Sequence, residues 1–226
     1  SIMAYKEMGY LPDAMVNYLV RLGWSHGDQE LFTRRELIEK FSWKNVQTSP
    51  AVFNPEKLIW VNAEYIKISQ PAQVAQALVP LLEAAGLTDE VRAVSPDWLA
   101  QLVVLVKERA KTLVEMVEWV RPYFGQAVTF DEEAAKKLLT PAIAPVLGKL
   151  LIRFESFPVF SQQQWEEAFK QLVEAEGLKM GQLAQPVRVA LTGRTASPGL
   201  FEVMEILGRD RTLFRLRQGF DRASQA

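Results

Sequence analysis

"SPDWLAQLVVLVK", residues 95–107, is the stretch on which the fold class turns. Trp98 to Val106 is an almost unbroken apolar run, and its neighbours say what it is. Ser95 offers a side-chain oxygen to a free helical N–H. Pro96 has the φ that a first helical position needs, and Asp97 puts a carboxylate in the first turn. No sustained two-residue alternation marks a strand. The run is therefore read as a helix to Lys107, buried on two sides.

Working outward, the same punctuation recurs. Pro12 opens and Gly23 closes a segment whose apolar residues are Leu11, Met15, Leu19 and Leu22. Thr33-Arg34-Arg35-Glu36 spells a capping box for a helix to Phe41, Thr112-Leu113-Val114-Glu115 a second, and Ser161-Gln162-Gln163-Gln164 a third. Asn54-Pro55 starts a helix with Leu58, Val61, Tyr65 and Ile68 on one stripe. Pro186 opens an apolar helix, and Ser197-Pro198 with Gly208 brackets the penultimate one. The chain is thus predicted to be all-α, in two to three consecutive helical bundles. Joints are expected at Ser69-Gln70-Pro71 and at Val128–Asp131, dividing it into 1–68, 69–130 and 131–226.

Composition removes several function classes. The 226 residues are 49% hydrophobic with six tryptophans, which supports real cores. With no cysteine there is no disulfide, thiol nucleophile or sulfur-bound zinc, and the single histidine, His26, excludes a two-histidine metal motif. No run approaches the ~18 apolar residues of a membrane span, and no basic-then-apolar leader opens the sequence. The expectation is a soluble, cytoplasmic monomer. Net charge is −1, so no global field advertises a nucleic-acid partner. Charge is uneven, however: 0 over 1–68, −2 over 69–130, −3 over 131–178 and +4 over 179–226. An anion is expected to meet the last of these.

Catalytic chemistry is hard to find. No P-loop, nucleophile elbow or Gly-x-Gly-x-x-Gly occurs. Asp131-Glu132-Glu133 reads as the acidic start of a helix, and His26 as a residue of the turn Ser25-His26-Gly27-Asp28. The basic segment is more suggestive. Arg188 and Arg194 sit at the start and just past the end of the apolar helix, Arg194 within the small-residue turn Gly193 to Gly199, and arginine forks with close backbone approach suit the edges of unstacked bases. By local chemistry alone, a structural loop with solvated arginines fits as well.

Longer motifs narrow this. Thr192-Gly193, Ser197-Pro198-Gly199-Leu200-Phe201-Glu202 and Leu207-Gly208 resemble the C-terminal anticodon-binding region of bacterial glutamyl-tRNA synthetases. So does Gly181-Gln182-Leu183-Ala184-Gln185-Pro186-Val187-Arg188. Gly9-Tyr10-Leu11-Pro12-Asp13-Ala14, Leu22 to Asp28 and Phe53-Asn54-Pro55-Glu56-Lys57-Leu58 resemble that family's helical stem-contact region. The likeness covers essentially the whole chain. It implies an all-helical distal region, unlike the β-barrels of the usual glutaminyl enzyme, and no catalytic residue. The family's His-Ile-Gly-His-like and Lys-Met-Ser-Lys-Ser-like motifs are absent from these residues.

The resemblance also implies roles. The partner would be tRNA(Glu), with neither DNA nor a membrane involved. ATP and Mg would belong to the parent ligase and no cofactor or metal to this fragment, which is expected to be inactive alone. Arg109 matches the arginine that reads the third anticodon base and separates tRNA(Glu) from tRNA(Gln). Arg188, Arg194, Ser197, Pro198, Gly199 and Leu200 match residues around the other bases. Lys170 stands where at least some members carry arginine. Lys57 and Trp60 would contact the tRNA stem, although Trp60 reads equally well as helix packing. A free-standing tRNA-binding module and a helical protein-docking scaffold are the rival readings.

Overall fold

The computed structural model describes residues 2–47 and 51–226. Among them every regular element is helical, in thirteen α-helices and three 3₁₀ turns. The sole β-type contact among the described residues is an isolated bridge between Trp24 and Val46. No helix among them is long and apolar enough to cross a membrane. The chain forms two compact units, Ser1–Trp119 and Val120–Ala226.

In the first unit, α1 (Ile2–Glu7) precedes α2 (Pro12–Gly23), α3 (Arg34–Lys40) and α4 (Pro55–Ile68). Pro12 occupies the first turn of α2, and the Thr33 capping box closes in both directions. The α2–α4 pair is organised by two fully buried asparagines. Asn17 accepts the Phe32 N–H at 2.8 Å and the Tyr65 hydroxyl at 3.1 Å, and donates to Glu30 O at 2.9 Å. Asn62 accepts the Leu11 N–H at 2.8 Å and donates to Lys111 O at 2.7 Å. A buried amide that satisfies loop backbone in this way fixes the loop, because leaving either side unpaired is costly. Ile68 leaves the expected stripe of α4 and is 60% exposed; Ile66 is buried in its place.

Next in order, α5 (Pro71–Ala84), α6 (Thr88–Arg92) and α7 (Pro96–Val106) pack together. Ser95 caps α7 by accepting the Trp98 N–H at 3.1 Å. This helix buries one side, not two: Leu99, Leu102, Val103 and Val106 are covered while Val104 is half exposed. A 3₁₀ turn, Lys107–Arg109, follows and touches both α4 and α7. α8 (Leu113–Val120) ends at the unit boundary.

The second unit packs α9 (Glu132–Leu138), α10 (Ala144–Glu155), α11 (Gln162–Ala175), α12 (Met180–Thr192) and α13 (Leu200–Ser224). Phe154 stacks on Trp165 at 4.1 Å between centroids at the heart of its core. Asp131 caps α9 through the Ala134 N–H at 2.8 Å, as a helix-start acid should. Two expectations need correction. Ser161 makes no side-chain cap bond at the start of α11. Pro186 lies inside α12 rather than at its start; the helix opens at Met180, where the Gln182 side chain accepts the Lys179 N–H at 2.7 Å. Gly208 ends the penultimate helix as expected: its non-helical φ 74° and ψ 170° break the run Leu200–Ser224, labelled α13 throughout, into two helices.

Candidate nucleic-acid interface

Two surfaces of the first unit carry the residues singled out above. On α4, the Lys57 ammonium lies 4.4 Å from the centre of the Trp60 ring, which is 40% exposed. The same ammonium pairs with Glu30 at 2.9 Å, and Arg21 takes the other carboxylate oxygen at 3.1 Å. The hydrogen bond from Lys57 is the chief reason that the Glu30 carboxyl is held below its usual range. Lys57 and Trp60 thus form one cation–π surface element, one turn apart on an exposed face.

Arg109 ends the 3₁₀ turn after α7. It is exposed, and its guanidinium carbon sits 5.7 Å from the centre of the Trp119 ring. The backbone around it is tied at several points. Lys107 Nζ donates to Lys67 O at 2.8 Å, and Asn62 holds Lys111 O. Thr112 accepts the Glu115 N–H at 3.1 Å, while the Glu115 carboxylate takes the Lys111 N–H at 2.7 Å. The second capping box therefore closes one residue early. The effect is a rigid mount beneath a presented guanidinium.

In the second unit the structure brings Arg188, Ser197 and Pro198 into direct contact. Arg188 Nη1 donates to Ser197 O at 3.1 Å, to Pro198 O at 2.7 Å and to the Ser197 hydroxyl. The Thr192 hydroxyl donates to Arg188 O at 2.9 Å and accepts the Arg194 N–H at 3.4 Å. Gly193 closes α12 at φ 74°, its N–H on Val189 O at 2.7 Å. Its carbonyl accepts the Asp131 N–H at 2.9 Å, and a Cβ here would fall 2.1 Å from Thr129 O. Only glycine fits. Pro198 and Leu200 are buried and Gly199 is exposed, so the loop offers backbone rather than those side chains. Lys170 stands on the open face of α11, paired with Glu166 at 2.6 Å. Arg109 belongs to the first unit and the other anticodon candidates to the second.

The +4 of residues 179–226 is largely structural. Arg215 is fully buried. Its Nε donates to Gln126 O, Nη1 to Pro122 O and Leu191 O, and Nη2 to Phe124 O and Gly125 O, at 2.6–3.1 Å. Arg211 reaches Tyr123 O at 2.9 Å, and Arg209 reaches Phe157 O at 2.8 Å. Arg217 and Arg222 pair with Glu155 and Glu132. Burial lowers the Arg215 pKa to about 10, far enough above neutrality to leave it charged. Counting charge along the chain did not reveal this use, nor did it find Trp119 under Arg109, which follows no helical repeat with it.

Residues 73–220 match the family described as "Anticodon binding domain". Residues 1–60 match "tRNA synthetases class I (E and Q), catalytic domain". The chain is 50% identical over 216 residues to a glutamate–tRNA ligase of Syntrophobacter fumaroxidans, covering 96% of this chain and 45% of that protein. It is 49% identical over 218 residues to the glutamate–tRNA ligase of Geobacter sulfurreducens, covering 96% and 46%. A crystal structure of a glutamate tRNA ligase from Elizabethkingia meningosepticum, in complex with its amino acid, superposes with a TM-score of 0.80 at 30% identity. That alignment covers 96% of this chain and 42% of the other. The chain spans just under half the length of these relatives.

Proposed function

Because the chain belongs to the anticodon-binding domain family of glutamyl-tRNA synthetases, we propose that it recognises the anticodon and stem of tRNA(Glu). It would do so as a monomer, and on behalf of ATP-dependent glutamate–tRNA ligation. The observation that carries this reading is the family match over residues 73–220. The chemistry of the surfaces supports it. Arg109 is exposed on a rigid mount, with an aromatic face beneath it. Lys57 and Trp60 offer a charge and a stacking plane together. The roles divide along the three expected segments: stem contact in 1–68, the third anticodon base in 69–130, and the remaining bases in 131–226.

Arg109 is assigned to the third base. A guanidinium fork faces the O2 and N3 acceptors of cytosine, whereas guanine presents N1–H and N2–H₂ donors on the same edge. Cytosine is accepted and guanine refused, which separates tRNA(Glu) from tRNA(Gln). Arg188 is a positioning residue, since its Nη1 holds the Ser197–Pro198 backbone that would meet the other bases. Arg194, Gly199 and Lys170 complete that surface. ATP and Mg²⁺ are implied for ligation by the full-length relatives. No step is assigned to the residues of this chain through either group.

The test is affinity for two anticodon stem-loops that differ only at the third anticodon base. Wild type should favour cytosine, and Arg109→Gln should shrink that preference. A good bidentate contact is worth ~1–3 kcal/mol of discrimination, or roughly 5- to 150-fold. Arg188→Ala should weaken both stem-loops and leave their ratio unchanged. An unaltered ratio in folded Arg109→Gln removes the assignment of Arg109. No saturable binding of tRNA at ~50 mM salt, where phosphate contacts are strong, removes the RNA reading in favour of a protein-docking scaffold.

A further inference from the structure

Arg109 is exposed, and among the described residues no hydrogen bond or ion pair holds its guanidinium. The contact it does make is with the face of the Trp119 ring, 5.7 Å from ring centre to guanidinium carbon. That is inside the ~6 Å reach of a cation–π contact. An ion pair would fix the side chain differently. A carboxylate takes up N–H donors at the edge of the fork and competes with any acceptor that approaches. A ring lies against the face, so the N–H groups, which point outward in the guanidinium plane, stay available. An arginine that reads a base edge needs a fixed plane and open donors together, and a ring supplies both.

Ring and guanidinium are each anchored by the first unit. The helix that carries the ring, α8, buries Leu113, Met116, Val117 and Val120, with Trp119 half-buried beside them. Its start is pinned to Gly9. The Leu113 N–H donates to Gly9 O at 2.9 Å, and a Cβ at Gly9 would fall 2.5 Å from Val114 N. The turn that carries Arg109 is tied separately, by Lys107 Nζ on Lys67 O and by Asn62 on Lys111 O. Backbone contacts, and not the two side chains themselves, therefore set how the ring lies to the turn. A long exposed side chain gives up rotamer freedom when it binds, and a preset plane removes part of that loss.

We propose that Trp119 is a positioning residue for anticodon discrimination: its ring presets the plane of the Arg109 guanidinium and leaves the donor edge open to the third base. This role rests on the assignment of Arg109 above. It places part of the cytosine preference in a side chain whose single polar group is an indole N–H, and which acts through Arg109.

The experiment compares wild type, Trp119→Phe, Trp119→Leu, Arg109→Gln and the double variant Arg109→Gln/Trp119→Leu, all checked for folding by thermal melting. NMR of the free protein follows the Arg109 Cδ–H protons, which an indole face shifts upfield. Affinity is then measured for the two anticodon stem-loops that differ only at the third anticodon base. The upfield shift should be present in wild type and lost in Trp119→Leu. The cytosine preference should shrink by about 2- to 5-fold in Trp119→Leu, the factor to which an exposed cation–π contact corresponds. Trp119→Phe keeps an aromatic face and should retain most of the preference. In the Arg109→Gln background, Trp119→Leu should leave the ratio alone, because a residue that acts through Arg109 has nothing left to position. Equal weakening of both stem-loops in Trp119→Leu, with the ratio intact, would make the ring merely structural and overturn the proposal. Absence of the upfield shift in wild type would overturn it too. A smaller ratio in Arg109→Gln beside an unchanged one in Trp119→Leu would sink this role alone and leave the Arg109 assignment standing. No stem-loop binding by wild type, or an unchanged ratio in folded Arg109→Gln, would sink the assignment of Arg109 and the role of Trp119 with it.

Discussion

Arg215 places a positive charge in the interior of the second unit and satisfies all five of its N–H donors on main-chain carbonyls. Three of those carbonyls, of Phe124, Gly125 and Gln126, belong to a loop that forms no regular structure of its own, so the guanidinium serves as its hydrogen-bond partner. Arg215→Leu should strip the buried acceptors at once. At ~1–3 kcal/mol for each unpaired buried group, a loss of at least ~3 kcal/mol is expected in a denaturant melt. Arg215→Lys should rescue little of it, because an ammonium cannot span the fork's directions. Full rescue by lysine would show that charge, and not geometry, holds the loop. Gly193 makes a complementary case. Its φ of 74° alone costs an L-residue ~1–2 kcal/mol, and a Cβ would collide with Thr129 O. Gly193→Ala should therefore cost more than ~2 kcal/mol, where an ordinary αL glycine would not. A stability within ~1 kcal/mol of wild type would mean that the 129–131 backbone moves aside easily.

Among the elements, the three capping motifs show how far a pattern binds. Thr33 and Glu36 close reciprocally at the start of α3. Glu115 instead reaches the Lys111 N–H, and Ser161 makes no cap bond. Spacing supplies the donors and acceptors, but the entry angle of the chain decides which of them meet, and tertiary packing sets that angle. The α3 cap gives an acid-pH prediction. The Thr33 N–H, first among several hydrogen bonds, lowers the Glu36 carboxyl from its ordinary 4.5 to about 2. A carboxyl lowered in the folded state stabilises fully above its unfolded pKa and loses that contribution as pH falls. Between pH 4.5 and about 2, the melting temperature of wild type should therefore fall more steeply than that of Glu36→Gln, which cannot titrate. Parallel acid limbs would remove Glu36 from the account.

At the scale of the whole molecule, apolar exposure is concentrated early in the chain. Ile38, Trp43 and Val52 are 77%, 82% and 85% exposed, and Phe41 meets Trp43 edge-on at 5.4 Å. Residues 1–60 are also those that match a catalytic-domain family rather than an anticodon-binding one. Large exposed apolar surface binds hydrophobic dyes and favours self-association. Trp43→Lys should lower 8-anilinonaphthalene-1-sulfonate fluorescence several-fold without lowering the melting temperature, since an exposed side chain leaves little packing to lose. Unchanged dye binding would place the sticky surface elsewhere.

What the sequence by itself determined is local in origin. Ser95-Pro96-Asp97, Thr33 with Glu36, Asn54-Pro55 and Asp131 specify helix starts within a few residues, because a cap and its amides are near neighbours in the chain. That made the all-α class legible, and the anticodon-region motifs made the family legible. Only the tertiary structure decided what the charges and polar groups do. Asn17 and Asn62 bond across 13 to 51 residues, and Arg215 across about 90. The basic segment looked like a face for anions, yet Arg209, Arg211, Arg215, Arg217 and Arg222 turn toward carbonyls and carboxylates of their own unit. The physical reason is that a helix start is satisfied within one turn, while a buried polar group must find its partner wherever packing brings one.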